Sequence, residues 1–230
     1  METRLVPISE IRKKGVWHFQ PYSQAVQQLE ADLAQSQFPV IKLQDLVENA
    51  KRGFIQKSMG ETDGVLLIRP KNLTPIGLDL SEVAYITPAD HNKLPQTQLQ
   101  SGDIIISLVA PLKQTIAAVY TDDRPANITN NLARLRLTSN IDPAYLAYYL
   151  NSNIGKTLIE SQMTGSVIRS ISLSSLLELP VVYPSLEKQH QIVLYVQNLQ
   201  QKAIQLSEQS VNFQAEARQI FDRVLKEEAA

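Results

Sequence analysis

The chain has 230 residues, 43% of them apolar, enough for one ordinary domain with an appendage or for two small domains. Twenty-two Lys and Arg stand against 23 Asp and Glu, so the formal charge of −1 lacks the footprint of a small protein that holds nucleic acid by bulk charge, and any anion binding must be local. The absence of cysteine excludes a disulfide scaffold, a thiolate nucleophile and every Cys-containing metal site.

Residues 1–36 read as an N-terminal helical extension. METRLVPISEIRKK carries charges but no apolar block after them, so it does not resemble a signal peptide, and Ser23 precedes Val26, Leu29 and Leu33, three apolar residues on one helical face. From 37 to 184 the texture changes to short apolar runs separated by Pro, Gly, Asn and Asp, the pattern of a β-rich α+β domain. Strands are expected at 65–70, 83–87, 103–109, 115–120 and 132–137. The longest apolar stretch, IIISLVAPL at 104–112, is broken by Ser107 and Pro111 and falls short of the roughly 18 residues of a membrane span, which points to a soluble, cytoplasmic protein. In LARLRL (132–137) the period of two directs Leu135 and Leu137 towards a core and Arg134 and Arg136 outward. Asp142-Pro143 is a helix start, a side-chain acceptor followed by a ring of fixed φ, and AYLAYYL continues it with helical spacing.

Residues 185–230 carry the strongest periodicity. After Pro184 and Ser185, the residues Ile192, Val196, Leu199, Ala203, Leu206, Ser210, Phe213, Ala217, Ile220 and Val224 follow a strict 4-3 spacing in which Ser210 alone is polar. With no internal Gly or Pro, this predicts a helix of about 40 residues, roughly 60 Å long, whose narrow apolar seam needs a partner.

Catalytic signatures are missing. His18, His91 and His190 have no ligand-spaced neighbours, the glycines form neither a phosphate loop nor a dinucleotide fingerprint, and there is no G-x-S-x-G elbow. No Pro-Pro dipeptide of the kind that clamps an extruded adenine occurs, and Asp122-Asp123 lacks the Glu-x-Lys of a metal-dependent nuclease and reads as a solvated turn. The chain therefore reads as a binder without a catalytic site, metal or cofactor of its own. Three local clusters could hold DNA: Lys51, Arg52, Lys57, Arg69, Lys71 and Asn72; Arg124, Arg134 and Arg136 around Asn127, Asn130 and Asn131; and Thr164, Gly165, Ser166, Arg169 and Ser170. Hydroxyls, backbone N–H groups and cations hold phosphates, while Asn, Gln and Arg read base edges. The candidate contacts are Lys57, Arg69, Lys71, Asn72, Asn130, Asn131, Ser166 and Arg169.

The order VLLIRPKNL (65–73), AYIT (84–87), SGDIIISLV (101–109), NITNNLARLRL (127–137), DPAYLAYYLNS (142–152) and TGSVIRSISLSSLLELPVVYPSLEKQHQI (164–192) resembles the target-recognition domain and following spacer helix of type I restriction–modification specificity subunits. The most specific stretch is the last, which ends in Pro-x-Leu-x-x-Gln-x-x-Ile at the start of the long helix. Where the family often has a Gly-containing turn, this chain has Ala110-Pro111-Leu112-Lys113. The resemblance covers about 37–225 and implies one recognition domain (37–184) and one spacer and dimerisation helix (185–230), the half-subunit form of a protein that usually carries two of each. It further implies a non-catalytic DNA-specificity subunit, with S-adenosylmethionine on a partner modification subunit and a restriction subunit as a further optional partner. Two copies are expected to pack their helices antiparallel and read a gapped palindrome in double-stranded DNA. The alternative is a coiled-coil scaffold or regulatory protein of a restriction system with no sequence readout.

Overall fold

The computed structural model describes residues 23–55, 64–74, 77–109 and 116–227. Helix α1 (Gln24–Ala34) starts where Ser23 accepts the amide of Val26 and packs on α4 (Asn153–Gln162) through a face that includes the buried Val26 and Leu33. Strand β1 (Val40–Lys42) pairs antiparallel with β11 (Pro180–Val182), closing the first and last strands on each other.

Two sheets form the centre. One is antiparallel, in the order β2 (Val47–Arg52), β10 (Leu132–Leu137), β7 (Ile104–Ser107), β8 (Ala117–Val119). The other is β6 (Ala84–Ile86), β3 (Val65–Ile68), β9 (Ala126–Ile128), with β3 and β9 parallel. A short hairpin, β4 (Leu73–Thr74) and β5 (Gly77–Leu78), lies beside them. Each strand expected over 65–70, 83–87, 103–109, 115–120 and 132–137 is present, trimmed where Pro or polar flanks end the ladder. Leu66, Ile68, Ala126 and Ile128 of the second sheet pack with Ile105, Ala118 and Leu132 of the first in one core, joined by Leu73, Leu99 and Tyr120. Burial raises the Tyr120 hydroxyl to about 12, and it donates to the Arg124 carbonyl.

That layering corrects the expectation for Arg134, whereas Arg136, nearer the strand end, keeps its side chain 28% exposed. They share a face with Leu132, and this face meets the second sheet instead of water, so Arg134 is only 4% exposed. Its guanidinium donates to the Gln98 carbonyl at 2.9 Å and to the Asn49 side chain, while Arg136 binds Asp103 with two bonds of 2.9 and 2.8 Å. Leu135, on the opposite face, is fully buried as expected and Leu137 partly so.

Helix α3 (Pro143–Asn151) begins at the expected cap, Asp142 accepting the amides of Ala144 and Tyr145. It lies against β8, and its last residue, Asn151, treats the outer edge of that strand as a further strand would: Oδ1 accepts from Ile116 and Ala117 and Nδ2 donates to the Ala117 carbonyl. Tyr145 and Tyr149 donate to the Val182 and Pro180 carbonyls of β11, and burial raises both hydroxyls, Tyr145 to about 12. Two short helices, α2 (Pro88–Lys93) and α5 (Leu173–Leu177), complete this part of the chain.

The final helix, α6, runs over Leu186–Glu227, 42 residues or roughly 63 Å. Ser185 accepts the amide of Lys188 at its start. Contacts divide the chain into two compact units between Gln189 and His190, within this helix. Gln189 is fully buried: its Oε1 accepts the amide of Asp142 and its Nε2 donates to the Pro184 carbonyl. None of the helices among the described residues is long and apolar enough to cross a membrane.

Two substitutions test these polar contacts. Asp103→Ala removes the carboxylate facing Arg136, leaves a half-buried guanidinium without its acceptor, and should lower unfolding free energy in urea by about 2 kcal/mol. Gln189→Leu keeps the volume but deprives the Asp142 amide of its acceptor and should cost about 2 kcal/mol in the same measurement.

Candidate nucleic-acid interface

Parallel pairing of β3 and β9 brings their exits to the same end of the sheets. Thr129, just beyond β9, donates its amide to the Ile68 carbonyl, which places Arg69 beside the Thr129–Asn131 turn. Phe54, just beyond β2, bridges Thr129 and accepts the amide of Asn130, and the Arg52 Nε donates to the Asn130 carbonyl at 2.6 Å. On the other side, the Asn131 carbonyl accepts from Leu108, whose own carbonyl accepts from Ile171, and Val109 bridges Ser170. Backbone hydrogen bonds thus tie four segments, 51–55, 129–131, 107–109 and 164–171, into one row across the end of the sheets.

The last of these is a closed turn. Thr164 and Ser170 exchange backbone hydrogen bonds of 2.9 and 2.8 Å, and Gly165 holds φ +109 with the Ile168 carbonyl 2.3 Å from where a Cβ would lie. No residue with a side chain fits there without moving the turn. Ser166 is exposed at the bend, and Val167 and Ile168 stand out of it, 94% and 66% exposed. Arg169 returns to the α4 terminus, where it donates to the Glu160 carbonyl at 2.9 Å.

The row carries Lys51, Arg52 and Arg169 and contains neither Asp nor Glu, while Arg69 adjoins it through its backbone and donates its guanidinium to the Glu82 carbonyl at 3.3 Å. Its surface combines cations, two amides, hydroxyls and the exposed apolar side chains of Ile55, Val167 and Ile168. Cations and hydroxyls suit phosphate, amides suit base edges, and β-branched tips suit the thymine methyl or a base step.

Of the residues singled out from sequence, Asn130, Asn131, Ser166 and Arg169 come together here, and Arg69 stands next to them with its guanidinium turned to the Glu82 carbonyl. Lys57 lies outside the described residues. Asn72 is turned inward: at 2% exposure its Oδ1 accepts the Arg69 amide and its Nδ2 donates to the Asp79 carbonyl, so it shapes the turn after β3 and presents no edge to a base. Lys71 binds Glu82 at 2.8 Å, an ion pair that holds the Glu82 carboxyl below the usual carboxylate range, and stands among carboxylates instead of in the row. The second sequence cluster separates. Arg124 grips Asp122 at the opposite end of β9, Arg134 is buried, Arg136 is half-buried on Asp103, and Asn127 is fully buried with bonds to Thr97, the Leu94 carbonyl and His91 Nδ1. Missed were Val167 and Ile168, whose exposure no hydropathy pattern reveals; the Gly-Ser before them and the Arg-Ser after them are the signal that a turn presents them.

The profile of the family described as "Type I restriction modification DNA specificity domain" matches residues 35–213. The chain belongs to this family. Two relatives in it are specificity subunits: that of the type I restriction enzyme MjaVIII from Methanocaldococcus jannaschii, 29% identical over 65% of this chain, and that of EcoBI from Escherichia coli, 24% identical over 75%. The chain aligns with 36% of the length of each. The crystal structure of the HsdS subunit from Thermoanaerobacter tengcongensis shares the fold at a TM-score of 0.54 and 19% identity, over 85% of this chain and 47% of that one. In this specificity-domain family member the motif Gln of Pro-x-Leu-x-x-Gln is the buried Gln189, and the motif Gly-Ser is the left-handed corner of the exposed turn.

Gly165→Ala tests the turn. Strain at φ +109 and the clash with the Ile168 carbonyl should accelerate hydrogen exchange at the Thr164 and Ser170 amides by about tenfold or more, leaving the protection of β7 and β10 unchanged.

Proposed function

We propose that this chain is a non-catalytic DNA-specificity component of a type I restriction–modification system, acting in the cytoplasm, that reads double-stranded DNA with residues 37–184 and pairs with a second copy through residues 185–230. The observation that carries the DNA reading is the carboxylate-free row at one end of the sheets, in a family defined by DNA specificity. Arg52, Arg69, Asn130, Asn131, Ser166 and Arg169 are its contacts, with Lys57 as a further candidate on the segment that follows Ile55. A few local cations in a chain of net charge −1 fit a protein that takes much of its non-specific phosphate affinity from partners. The chemistry on DNA belongs to a modification subunit that brings S-adenosylmethionine, and a restriction subunit can join the same complex.

Pairing with a second copy is supported by α6. Leu199, Leu206, Phe213, Ile220 and Val224, all on the 4-3 seam, are 46% to 68% exposed, a regular apolar stripe that a lone helix leaves in water. Two identical heads related by a two-fold axis would read inverted half-sites separated by an uncontacted gap.

The test is methylation by a cognate modification subunit in the presence of this protein, with the modified positions mapped. One gapped palindrome is expected; sequence-neutral methylation, or none, would instead favour the scaffold reading. Arg52→Ala and Asn130→Ala should each weaken binding to the mapped site by about tenfold with unfolding midpoints unchanged, and the arginine variant should also flatten the salt dependence of binding.

A further inference from the structure

The geometry points to the Val167–Ile168 tip of the closed turn as a reader of the thymine methyl group in the major groove of double-stranded DNA. The inference rests on the DNA reading proposed above and adds which chemical group of the bases this turn recognises.

Two limbs of chain form the turn, and its base is fixed. Thr164 and Ser170 exchange backbone hydrogen bonds across it, the Ile171 amide donates to the Leu108 carbonyl, and Val109 bridges Ser170. The turn is therefore braced on the exit of β7. Gly165 at φ +109 sends the chain outward, and between it and Arg169 the tip consists of Ser166, Val167 and Ile168, all exposed. Val167, at 94%, is the most exposed large apolar side chain among the described residues. Both apolar tip residues are β-branched and have few rotamers to lose, so a contact made by this braced tip carries a low ordering cost.

What surrounds the tip selects its ligand. The neighbouring segments of the row supply Lys51, Arg52, Asn130, Asn131 and Arg169 and no carboxylate, a surface complementary to a polyanion. Two side chains on a narrow tip are little beside the roughly 800 Å² that each partner buries in a stable protein interface. Width selects the groove. The bridged limbs lie about 5 Å apart at their backbones and carry side chains besides, which exceeds the roughly 6 Å of the minor groove but fits the roughly 12 Å of the major groove, where a two-stranded ribbon is admitted. Chemistry selects the group. The amino, carbonyl and ring-nitrogen edges in the major groove require hydrogen bonds that Val167 and Ile168 side chains cannot make, and the 5-methyl of thymine is the apolar contact offered there. A polar edge set against the tip would lose water without gaining a partner, so the tip rejects such an edge as well as accepting the methyl. It thereby supplies a discrimination that the amides and cations beside it, suited to adenine and guanine edges, do not.

The test uses the full-length protein with its modification subunit and a site obtained by methylation mapping or by selection from random duplexes. Each thymine of the site is replaced in turn by deoxyuridine, which lacks only the methyl group. At one or two positions in each half-site, uracil should lower affinity about fourfold, the worth of one buried methyl group. The double variant Val167→Ala with Ile168→Ala should abolish that penalty at the same positions with its unfolding midpoint unchanged, because both side chains lie outside the core. A uracil penalty of equal size in the unaltered protein and the double variant would overturn the assignment to this tip. So would the absence of any uracil penalty in a complex that still distinguishes its site from a scrambled duplex; weaker binding by the double variant would then indicate a wedge between base pairs instead. Unchanged DNA affinity with a weakened hold on the modification subunit would overturn it in favour of a protein contact. If the unaltered complex binds site and scrambled duplex alike, the DNA-specificity reading itself fails, and this inference with it.

Discussion

Two arginines share one face of β10, Arg134 buried and Arg136 half-buried, and their hydrogen-bonding requirement shapes the protein around them. A guanidinium removed from water must find acceptors in its surroundings. Arg136 finds the Asp103 carboxylate at the entry to β7, and Arg134 finds the Gln98 carbonyl and the Asn49 side chain. Asp103 in turn accepts the Gln100 amide, and Gln98 donates its own amide group to the His91 carbonyl. The segment from α2 to β7 is held along β9 by these bonds and by Asn127, whose side chain reaches His91, Leu94 and Thr97. Polar side chains in this layer specify which loop covers which strand, a task that an apolar layer performs less selectively.

With that layer set, strand topology assembles the candidate interface. Arg52 and Arg69 leave different strands of different sheets, and Asn130 sits in the turn between β9 and β10, yet parallel pairing of β3 with β9 and the Phe54 bridge bring all three to one end. The Thr164–Ser170 turn comes from a later part of the chain and joins the row through backbone bonds to the β7 exit. Three carboxylates are engaged by bases outside the row: Glu82 by Lys71, Asp122 by Arg124, Asp103 by Arg136. Near-neutral composition and a locally cationic end are compatible because the four segments of the row hold no carboxylate of their own.

The second device is the Gln189 amide, which joins the cap of α3 to the start of α6. The Asp142 amide precedes the helical turn its own side chain caps and has no partner within α3, so a buried acceptor from another element is what satisfies it. The same short motif therefore opens the long helix and secures the helix that covers the edge of β8. Beyond that turn α6 meets different demands, and its composition follows: amides and charges are frequent, the 4-3 seam is apolar, and Leu194, Val211 and Phe221 stand exposed beside it.

Local chemistry in the sequence determined the elements. The Ser23 and Asp142 caps, the apolar strand runs and the 4-3 seam act over a few residues, so the helix starts, the five strands and the extent of α6 are legible in the sequence alone, and the motif order places the chain in its family. The environment of each polar side chain was decided only in three dimensions. A period of two says that Arg134 and Arg136 share a face but not whether a second sheet covers it. A cluster in sequence says that Lys71 and Asn72 follow Arg69 but not that a turn folds one onto Glu82 and the other into the core. Val167 and Ile168 are apolar and exposed because Gly165 turns the chain outward there. Secondary structure follows from neighbours along the chain, whereas the exposure of a charge or an apolar tip depends on elements that arrive from far away in sequence.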